Sequence, residues 1–120
     1  MAKIVIAENG LAIQLTTLEK AEALHGDVHV PLADIRAVSV VDHPMSVPRG
    51  LRAPGTEIPG VIEAGTWHGS KEGRQFVLVT RGHRAVRIDL AEGKGSYDVL
   101  LVRVTDPEAD AAAIRTAAGL

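Results

Sequence analysis

The segment AVRIDLAEGKGSYDVLLVRVTDPE, residues 85–108, contains the pattern that decides the fold. In AVRIDL (85–90) and YDVLLVRV (97–104), apolar side chains recur at every second position, which is typical of β-strands with one buried face. Charged side chains alternate with these apolar ones, so we expect the opposite face of both strands to be exposed to solvent. These charged residues are Arg87, Asp89 and Arg103.

A helix is predicted directly after these strands, at the C-terminal end of the sequence. Asp106 is a typical N-cap residue, and Pro107 suits the first helical position, where its missing N–H costs nothing. Gly119 is expected to end the helix. The side chains predicted to face the sheet are Ala109, Ala113, Ile114 and Ala117.

The first fifteen residues are predicted to form a β-hairpin. Strands at 3–8 and 11–15 flank Asn9-Gly10, a dipeptide that favours a type I′ turn because both residues tolerate a positive φ. Alternation along the second strand separates its residues into two faces. One face has Leu11, Ile13 and Leu15, and the other has Ala12 and Gln14.

A short helix is predicted near residues 17–24. The sequence Thr-Thr-Leu-Glu matches a capping box, in which Thr16 and Glu19 exchange hydrogen bonds between side chain and backbone. Gly26 suits the left-handed residue that commonly ends a helix. The apolar stripe expected to pack on the protein contains Leu18, Ala21 and Leu24.

Residues 28–60 are predicted to contain two strands and a long loop. Pro31 interrupts the strand at 28–32, and because proline has no N–H, we expect an edge position or a bend there. A second strand is expected at 35–42. Residues 43–60 contain four prolines and no apolar period, which predicts a loop that either plugs one end of the fold or serves binding.

The fold class that these elements predict is mainly β, an α+β small barrel. We expect two roughly orthogonal antiparallel sheets of about eight strands, capped by the C-terminal helix. The chain has 120 residues, which suits one domain, residues 1–120, with a core of its own.

The stretch VHVPLADIRAV, residues 28–38, resembles the strand-turn-strand signature of bacterial pleckstrin-homology-like domains. A strand there ends in a proline-containing turn, and an isoleucine begins the next strand. The resemblance implies a scaffold that hosts surfaces for protein binding or self-association. Binding of phosphoinositide headgroups does not carry over, because the first hairpin loop, Asn9-Gly10, is too tight and too neutral to hold several phosphates.

Composition narrows the classes of function. The formal net charge is -2, which argues against a nucleic-acid binder, because neutralising phosphates needs a surplus of Lys and Arg. The chain has no cysteine, so neither disulfides nor a thiolate nucleophile are expected. The N-terminal apolar stretch is too short for a signal peptide or a membrane span, which predicts a cytoplasmic protein. Nothing in the sequence indicates a cofactor or supports a peripheral membrane contact.

Two groups of residues are candidate binding sites. Arg49, Arg52, Arg81 and Arg84 are the candidate ligand-binding residues, because clustered guanidinium groups recognise anions through charge-assisted hydrogen bonds. The alternative interpretation of these four residues is solvated hairpin charges. Trp67 and His68, at a strand end, are the candidate interface residues. Trp67 is equally consistent with a place in the core.

Motifs for catalysis or for metal binding are weak. His25 and His29 are the only histidines at a local metal-ligand spacing, with Asp27 and Asp34 as the nearest further candidates, and we favour surface histidines over a metal site. The serines lie in no nucleophile motif. We therefore expect a non-enzymatic binding or self-assembly module, with a protein or a second copy as partner.

The alternative is a binder of a small anionic molecule, or a small enzyme, with its pocket under loop 43–60. Its polar lining would be His43, Arg49, Arg52 and Glu57.

Overall fold

The computed structural model describes residues 1–46, 51–58, 61–70 and 73–120, with the backbone alone at 46, 51–55, 57–58 and 69–70. Nine strands and two helices lie in these ranges. The strands are β1 Lys3–Ile6, β2 Gly10–Gln14, β3 Val28–Pro31, β4 Ile35–Val41, β5 Leu51–Ile58, β6 Ile62–Ser70, β7 Gly73–Thr80, β8 Ala85–Leu90 and β9 Val99–Arg103. The helices are α1 Thr17–Ala23 and α2 Pro107–Ala118.

The smaller of two sheets contains three antiparallel strands in the order β1-β2-β3. The predicted hairpin is confirmed, but its turn is not the predicted one. Ala7 N–H donates to the Gly10 carbonyl oxygen at 2.8 Å, so the loop residues are Glu8 and Asn9. None of Glu8, Asn9 and Gly10 has a positive φ, and a type I′ turn at Asn9-Gly10 is therefore excluded.

The larger sheet has six strands in the order β4-β8-β9-β7-β6-β5. Its strands pair antiparallel except β7 and β9, which run parallel. The prediction of a mainly β chain with two sheets and a terminal helix is confirmed. The prediction of a closed barrel with purely antiparallel sheets is wrong. Within the described residues β4 and β5 are edge strands that do not pair with each other, and β9 inserts between β7 and β8.

Strand β5 lies inside the segment that was expected to be a loop. The backbone of Leu51–Ile58 pairs antiparallel with β6, and the register shifts between Arg52 and Gly55. Pro54 occupies this irregularity, which tolerates a residue without an N–H, as does an edge strand. The prediction of one continuous loop over 43–60 is therefore wrong, and the strand count rises from about eight to nine.

The central strands of the larger sheet are buried on both faces. Phe76 and Leu78 of β7 belong to a core cluster that also contains residues of the smaller sheet and of α2. Val77 and Val79 alternate with them and belong to a second cluster on the opposite face. Leu101 of β9 lies in that second cluster and is 4% exposed. The prediction that this face of the last strand is exposed to solvent is therefore wrong at Leu101.

Helix α1 begins where the capping box predicts. Thr16 Oγ1 accepts from the Glu19 N–H at 3.2 Å, and Glu19 Oε1 accepts from the Thr16 N–H at 2.9 Å. The predicted apolar stripe is wrong, because Leu18 and Leu24 are 69% and 63% exposed while Glu19 and Ala23 are buried. The left-handed residue at the end is Leu24, with φ 50°, and not Gly26.

Buried Glu19 connects the N-terminal region to the larger sheet. Its Oε2 accepts from the Ala2 N–H at 3.1 Å and lies 3.3 Å from Nη2 of Arg103 in β9. Arg103 also pairs with Glu22 at 3.1 Å and donates to the hydroxyl of Thr80. This network holds α1 against the sheet, and removing one partner leaves another charge buried without compensation.

Helix α2 packs against β4, β8 and β1. The predicted N-cap is confirmed, because Asp106 Oδ1 accepts from the Ala109 N–H at 3.1 Å, and Gly119 is the left-handed C-cap. Ile114 is buried as predicted. The three predicted inner alanines, Ala109, Ala113 and Ala117, are instead exposed, and Pro107 and Ala111 take the inner positions. No helix in the described ranges is long and apolar enough to cross a membrane.

Candidate functional site

The four candidate arginines fall into two groups. Arg49 lies outside the described residues, and for Arg52 the structure gives only the backbone in β5, opposite Trp67 of β6. Arg81 and Arg84 are exposed and lie in the turn between β7 and β8. Convergence of all four guanidinium groups therefore stays a prediction.

Arg84 is paired with two carboxylates. Its Nε donates to Asp42 Oδ1 at 2.9 Å, and its Nη2 donates to Glu108 Oε1. The hydrogen bond from Glu108 raises the pKa of the Arg84 guanidinium, with Asp42 adding to the shift, and Arg84 in turn lowers the pKa of Glu108. Both acids compensate the charge of Arg84, so it offers less attraction to an anion than a free guanidinium.

A cleft of about 470 Å³ opens beside these arginines. The side chain of Arg81 makes no hydrogen bond or ion pair with any residue that the structure describes. Positively and negatively charged side chains therefore line the same cleft, and Arg81 is the cation among them that has no partner in the described residues. The lining residues are Asp42, His43, Pro44, Met45, Thr80, Arg81, Gly82 and Arg84.

The two candidate interface residues lie in different environments. Trp67 is 2% exposed and belongs to the second core cluster with Val77 and Leu101. His68, the next residue along β6, is exposed. In this conformation Trp67 therefore contributes to the core and offers almost no surface to a partner, while the role of His68 stays a prediction.

A second cleft, of about 320 Å³, lies where the smaller sheet meets the linker between β8 and β9. Its walls contain two aspartates, two histidines and a tyrosine among apolar side chains, and no lysine or arginine is found among its described lining residues. The lining residues are His25, Asp27, Val28, His29, Val30, Pro31, Asp34, Leu90, Ala91, Gly95, Ser96 and Tyr97.

A hydrogen-bond relay crosses the floor of this second cleft. His25 Nδ1 lies 2.7 Å from the carbonyl oxygen of Gly26, which only accepts, so Nδ1 carries the hydrogen. The hydroxyl of Tyr97 forms one hydrogen bond with His25 Nε2 at 2.8 Å and another with the hydroxyl of Thr66 at 3.2 Å. The imidazole of His25 also contacts the ring of Phe76 edge-on, with centroids 5.0 Å apart. These contacts fix the orientation of the His25 ring.

The histidine pair that the sequence pointed to lies in the lining of the second cleft, where its two members differ in their contacts. His25 and His29 both line the second cleft, but no group of three potential ligands among the described residues is placed to hold a metal ion. His29 is exposed and His25 serves the relay. Tyr97 is 72 positions from His25, so no local pattern in the sequence could have joined them.

The outer face of the smaller sheet carries an open apolar groove of about 550 Å³. Val5 pairs with Ala12, and Ala12 pairs with His29, so these side chains form one row across the three strands. Val5 is 41% exposed. The sequence did contain a signal for this groove, since apolar residues occupy every position from 4 to 7. The lining residues are Val5, Ala7, Asn9, Gly10, Leu11, Ala12, His29, Val30 and Pro31.

The chain matches no protein-family model, no curated protein and no solved structure.

Proposed function

We propose that the protein is a non-enzymatic self-assembly module and that two copies associate through the outer face of the smaller sheet. This outer face is defined by Val5, Ala7, Ala12 and His29. The observation that carries the proposal is the apolar groove of about 550 Å³ on this face, lined by Val5, which is 41% exposed. Exposed apolar surfaces of this kind mark interaction sites, because burying them on association is favourable.

A second copy is the partner that suits this surface. No Asp, Glu, Lys or Arg is found among the described residues that line the groove, so a charged ligand meets no countercharge from them. The same uncharged surface meets a second copy of itself without electrostatic repulsion, as a symmetric interface requires. Ala7, Gly10 and Ala12 are small, so two such sheets can approach to the usual face-to-face spacing of about 10 Å.

Association by the face is favoured over association by a strand edge. Lys3 lies on edge strand β1, where a charge opposes pairing with another chain. Pro31 ends edge strand β3 and has no N–H to donate. Pairing through the edge broken at Pro31 is the competing form of self-assembly, and it predicts a different set of sensitive residues.

The experiment compares two exposed valines on different surfaces. Val5→Asp places a charge in the groove, whereas Val61→Asp places the same charge on a valine that is 46% exposed outside it. In light scattering at rising concentration, we expect wild type and Val61→Asp to approach twice the mass of the chain, and Val5→Asp to remain monomeric. A monomeric wild type at high concentration contradicts the proposal. So does an equal loss of dimer in both variants.

We further infer a pleckstrin-homology-like scaffold with roughly orthogonal sheets and a cytoplasmic location. Two sheets with a C-terminal helix support the scaffold. The parallel pairing of β7 and β9 departs from the antiparallel sheets that the resemblance implies. A solved pleckstrin-homology-like domain in which the strands equivalent to β7 and β9 pair antiparallel would argue against this scaffold.

A second candidate function is the binding of a small anion in the 470 Å³ cleft. It is favoured by one observation, that Arg81 is exposed beside the cleft without a described partner. Inorganic phosphate and phosphorylated metabolites should then raise the melting temperature. The increase should disappear in Arg81→Ala and in Arg49→Ala/Arg52→Ala, and persist in Arg36→Ala, which removes an exposed arginine elsewhere. Equal increases in all variants contradict this function.

A further inference from the structure

We propose that the cleft of about 320 Å³ between the two sheets binds a small organic cation, an alkylammonium group with a short apolar chain. The proposal does not rest on self-association. His29, Val30 and Pro31 line both the cleft and the groove of the outer face, but Asp34 and Tyr97 line the cleft and not the groove. Three observations support the proposal. The cleft has a fixed shape, its aromatic groups already have hydrogen-bond partners, and the carboxylate of Asp34 has none among the described residues.

The cleft has a fixed framework. The Ala91 N–H donates to the Asp34 carbonyl oxygen at 2.7 Å, which connects the linker after β8 to the turn after β3. The Leu90 N–H donates to the Asp98 carbonyl oxygen at 2.9 Å. These backbone bonds hold the two walls at a set distance, so the cavity is present before a ligand enters.

The aromatic groups of the cleft are already hydrogen-bonded. Both ring nitrogens of His25 and the hydroxyl of Tyr97 are engaged in the relay that ends at Thr66. Because these groups already have hydrogen-bond partners, the relay supplies walls of the cleft and leaves recognition of a ligand to the other polar groups.

The remaining polar groups favour a cation. The Asp34 carboxylate has no hydrogen bond or ion pair with any described residue. Asp27 Oδ1 accepts from the Leu15 N–H at 2.9 Å and lies 3.8 Å from Lys20 Nζ, so its charge is partly compensated. Among the described residues no lysine or arginine lines the cleft, so the two aspartates give its described lining a negative charge. An ammonium group donates up to three hydrogen bonds to such acceptors.

The rest of the lining defines the remainder of the ligand. Val28, Val30 and Leu90 give the cleft apolar walls that suit a short alkyl chain. A metal ion is a poorer match, because it requires at least three converging ligands and none of the described residues form such a group. An organic cation needs one carboxylate and an apolar surface, and the cleft offers both.

The experiment titrates the ¹⁵N-labelled protein with butylammonium, butan-1-ol and butyrate, three probes of one chain length and different charge. We expect saturable amide shifts confined to the residues lining the cleft, with butylammonium binding at least about tenfold more tightly than butan-1-ol, because a charge-assisted hydrogen bond is replaced by a neutral one. Equal affinity for the ammonium and the alcohol overturns the proposal. So does the absence of saturable shifts at these residues.

Variants test the role assigned to Asp34. Asp34→Asn should weaken butylammonium binding at least about tenfold, whereas Glu8→Gln, which removes one exposed charge outside the cleft, should leave it unchanged. Ser96→Lys places an ammonium group of the protein itself at the exposed rim and should suppress binding even if Asp34→Asn fails to fold. Equal weakening by Asp34→Asn and Glu8→Gln overturns the proposal, as does undiminished binding by Ser96→Lys. Monomeric Val5→Asp should still bind, so failure of self-association is distinguishable from failure of this site.

Discussion

The two sheets of this protein bury their strands in different ways. In the larger sheet the four consecutive residues from Phe76 to Val79 are each 0% exposed, because cores lie on both faces of β7. In the smaller sheet Leu11 and Ile13 face the core, while Val5 on the outer face is 41% exposed. The larger sheet therefore supplies most of the stabilisation, and the smaller sheet leaves exposed the apolar face on which we propose that two copies associate.

The two sheets also show that an uninterrupted run of apolar residues can occur in two structural settings. The runs FVLV (76–79) and VLLV (99–102) indicate burial on both faces, as they do for central strands of layered proteins. The run IVIA (4–7) has the same appearance, but only one of its faces is covered. A run of apolar residues thus identifies either a central strand or a strand with one apolar face exposed.

The largest expected effect comes from truncating a side chain in the larger sheet. Phe76→Ala should lower the free energy of unfolding by about 3–5 kcal/mol, because it leaves a cavity in the main core and removes the ring that contacts His25. Val5→Ala, measured at concentrations where the chain is monomeric, should change it by less than about 0.5 kcal/mol. Urea denaturation measures both. A comparable loss of unfolding free energy in the two variants would contradict this distinction between the sheets.

The connection between the two regions should be the next most sensitive feature. Arg103→Met leaves the 2% exposed Glu19 without its cation and should cost about 3 kcal/mol in unfolding free energy. The double variant with Glu19→Gln should cost less than the sum of the two single changes, since the pair acts as a unit. Additive costs in urea denaturation would show that Glu19 and Arg103 do not interact.

Acid should weaken a turn of the larger sheet. Asp98 accepts from the N–H of Arg74 at 2.9 Å, and this bond, with the Arg74 side chain and Gly93 N–H, holds the pKa of Asp98 below its usual value. A lowered pKa gives stability that is present above the unfolded-state value of about 3.9 and is lost as the pH falls through the folded-state value. Asp98→Asn should therefore cost about 1–2 kcal/mol at pH 7 and less at pH 3.

Asp110 provides a control of opposite sign. Burial and the charge of Asp106 raise the pKa of Asp110, so its ionised form is disfavoured in the folded protein and Asp110→Asn should not destabilise at pH 7. Urea denaturation of both variants at pH 7 and pH 3 makes the comparison. A cost of Asp98→Asn that does not shrink in acid contradicts the assignment of its hydrogen bonds.

The smallest expected effect concerns the relay where the sheets meet. Tyr97→Phe keeps the ring but removes the hydroxyl that joins His25 to Thr66, and should cost about 1 kcal/mol. Without this hydroxyl, Nε2 of His25 loses its hydrogen-bond partner, so the ¹⁵N chemical shifts of the imidazole should change. Unchanged imidazole shifts in Tyr97→Phe would contradict the relay.

Much of the fold could be predicted from local sequence. The alternation along residues 85–90 and the Asp-Pro start of α2 identify their elements directly, because each pattern reflects the geometry of one element. The capping box at Thr16 also identifies the start of α1. Its buried face could not be predicted, because the Glu19 carboxylate takes two further partners, Ala2 and Arg103, that are distant in sequence.

The remaining features depend on contacts between distant segments. Strand β5 could not be predicted, because proline and glycine are depleted in strands. Only the pairing with β6 places Pro54 and Gly55 in a sheet. The cleft between the sheets was hidden because His25 and Tyr97 meet only in the folded chain. The arginine cluster was predicted from charge alone, and charge does not reveal that Arg84 is already paired with Asp42 and Glu108.

The most direct test of the central claim is a dilution series of ¹H–¹⁵N spectra, which reports residue by residue where two copies meet. The claim predicts that amide signals of Val5, Ala7 and Ala12 shift progressively with concentration, while those of Phe76 and Leu101 in the core do not. Spectra that are identical from micromolar to millimolar protein would contradict it. Concentration-dependent shifts confined to other surfaces would do the same.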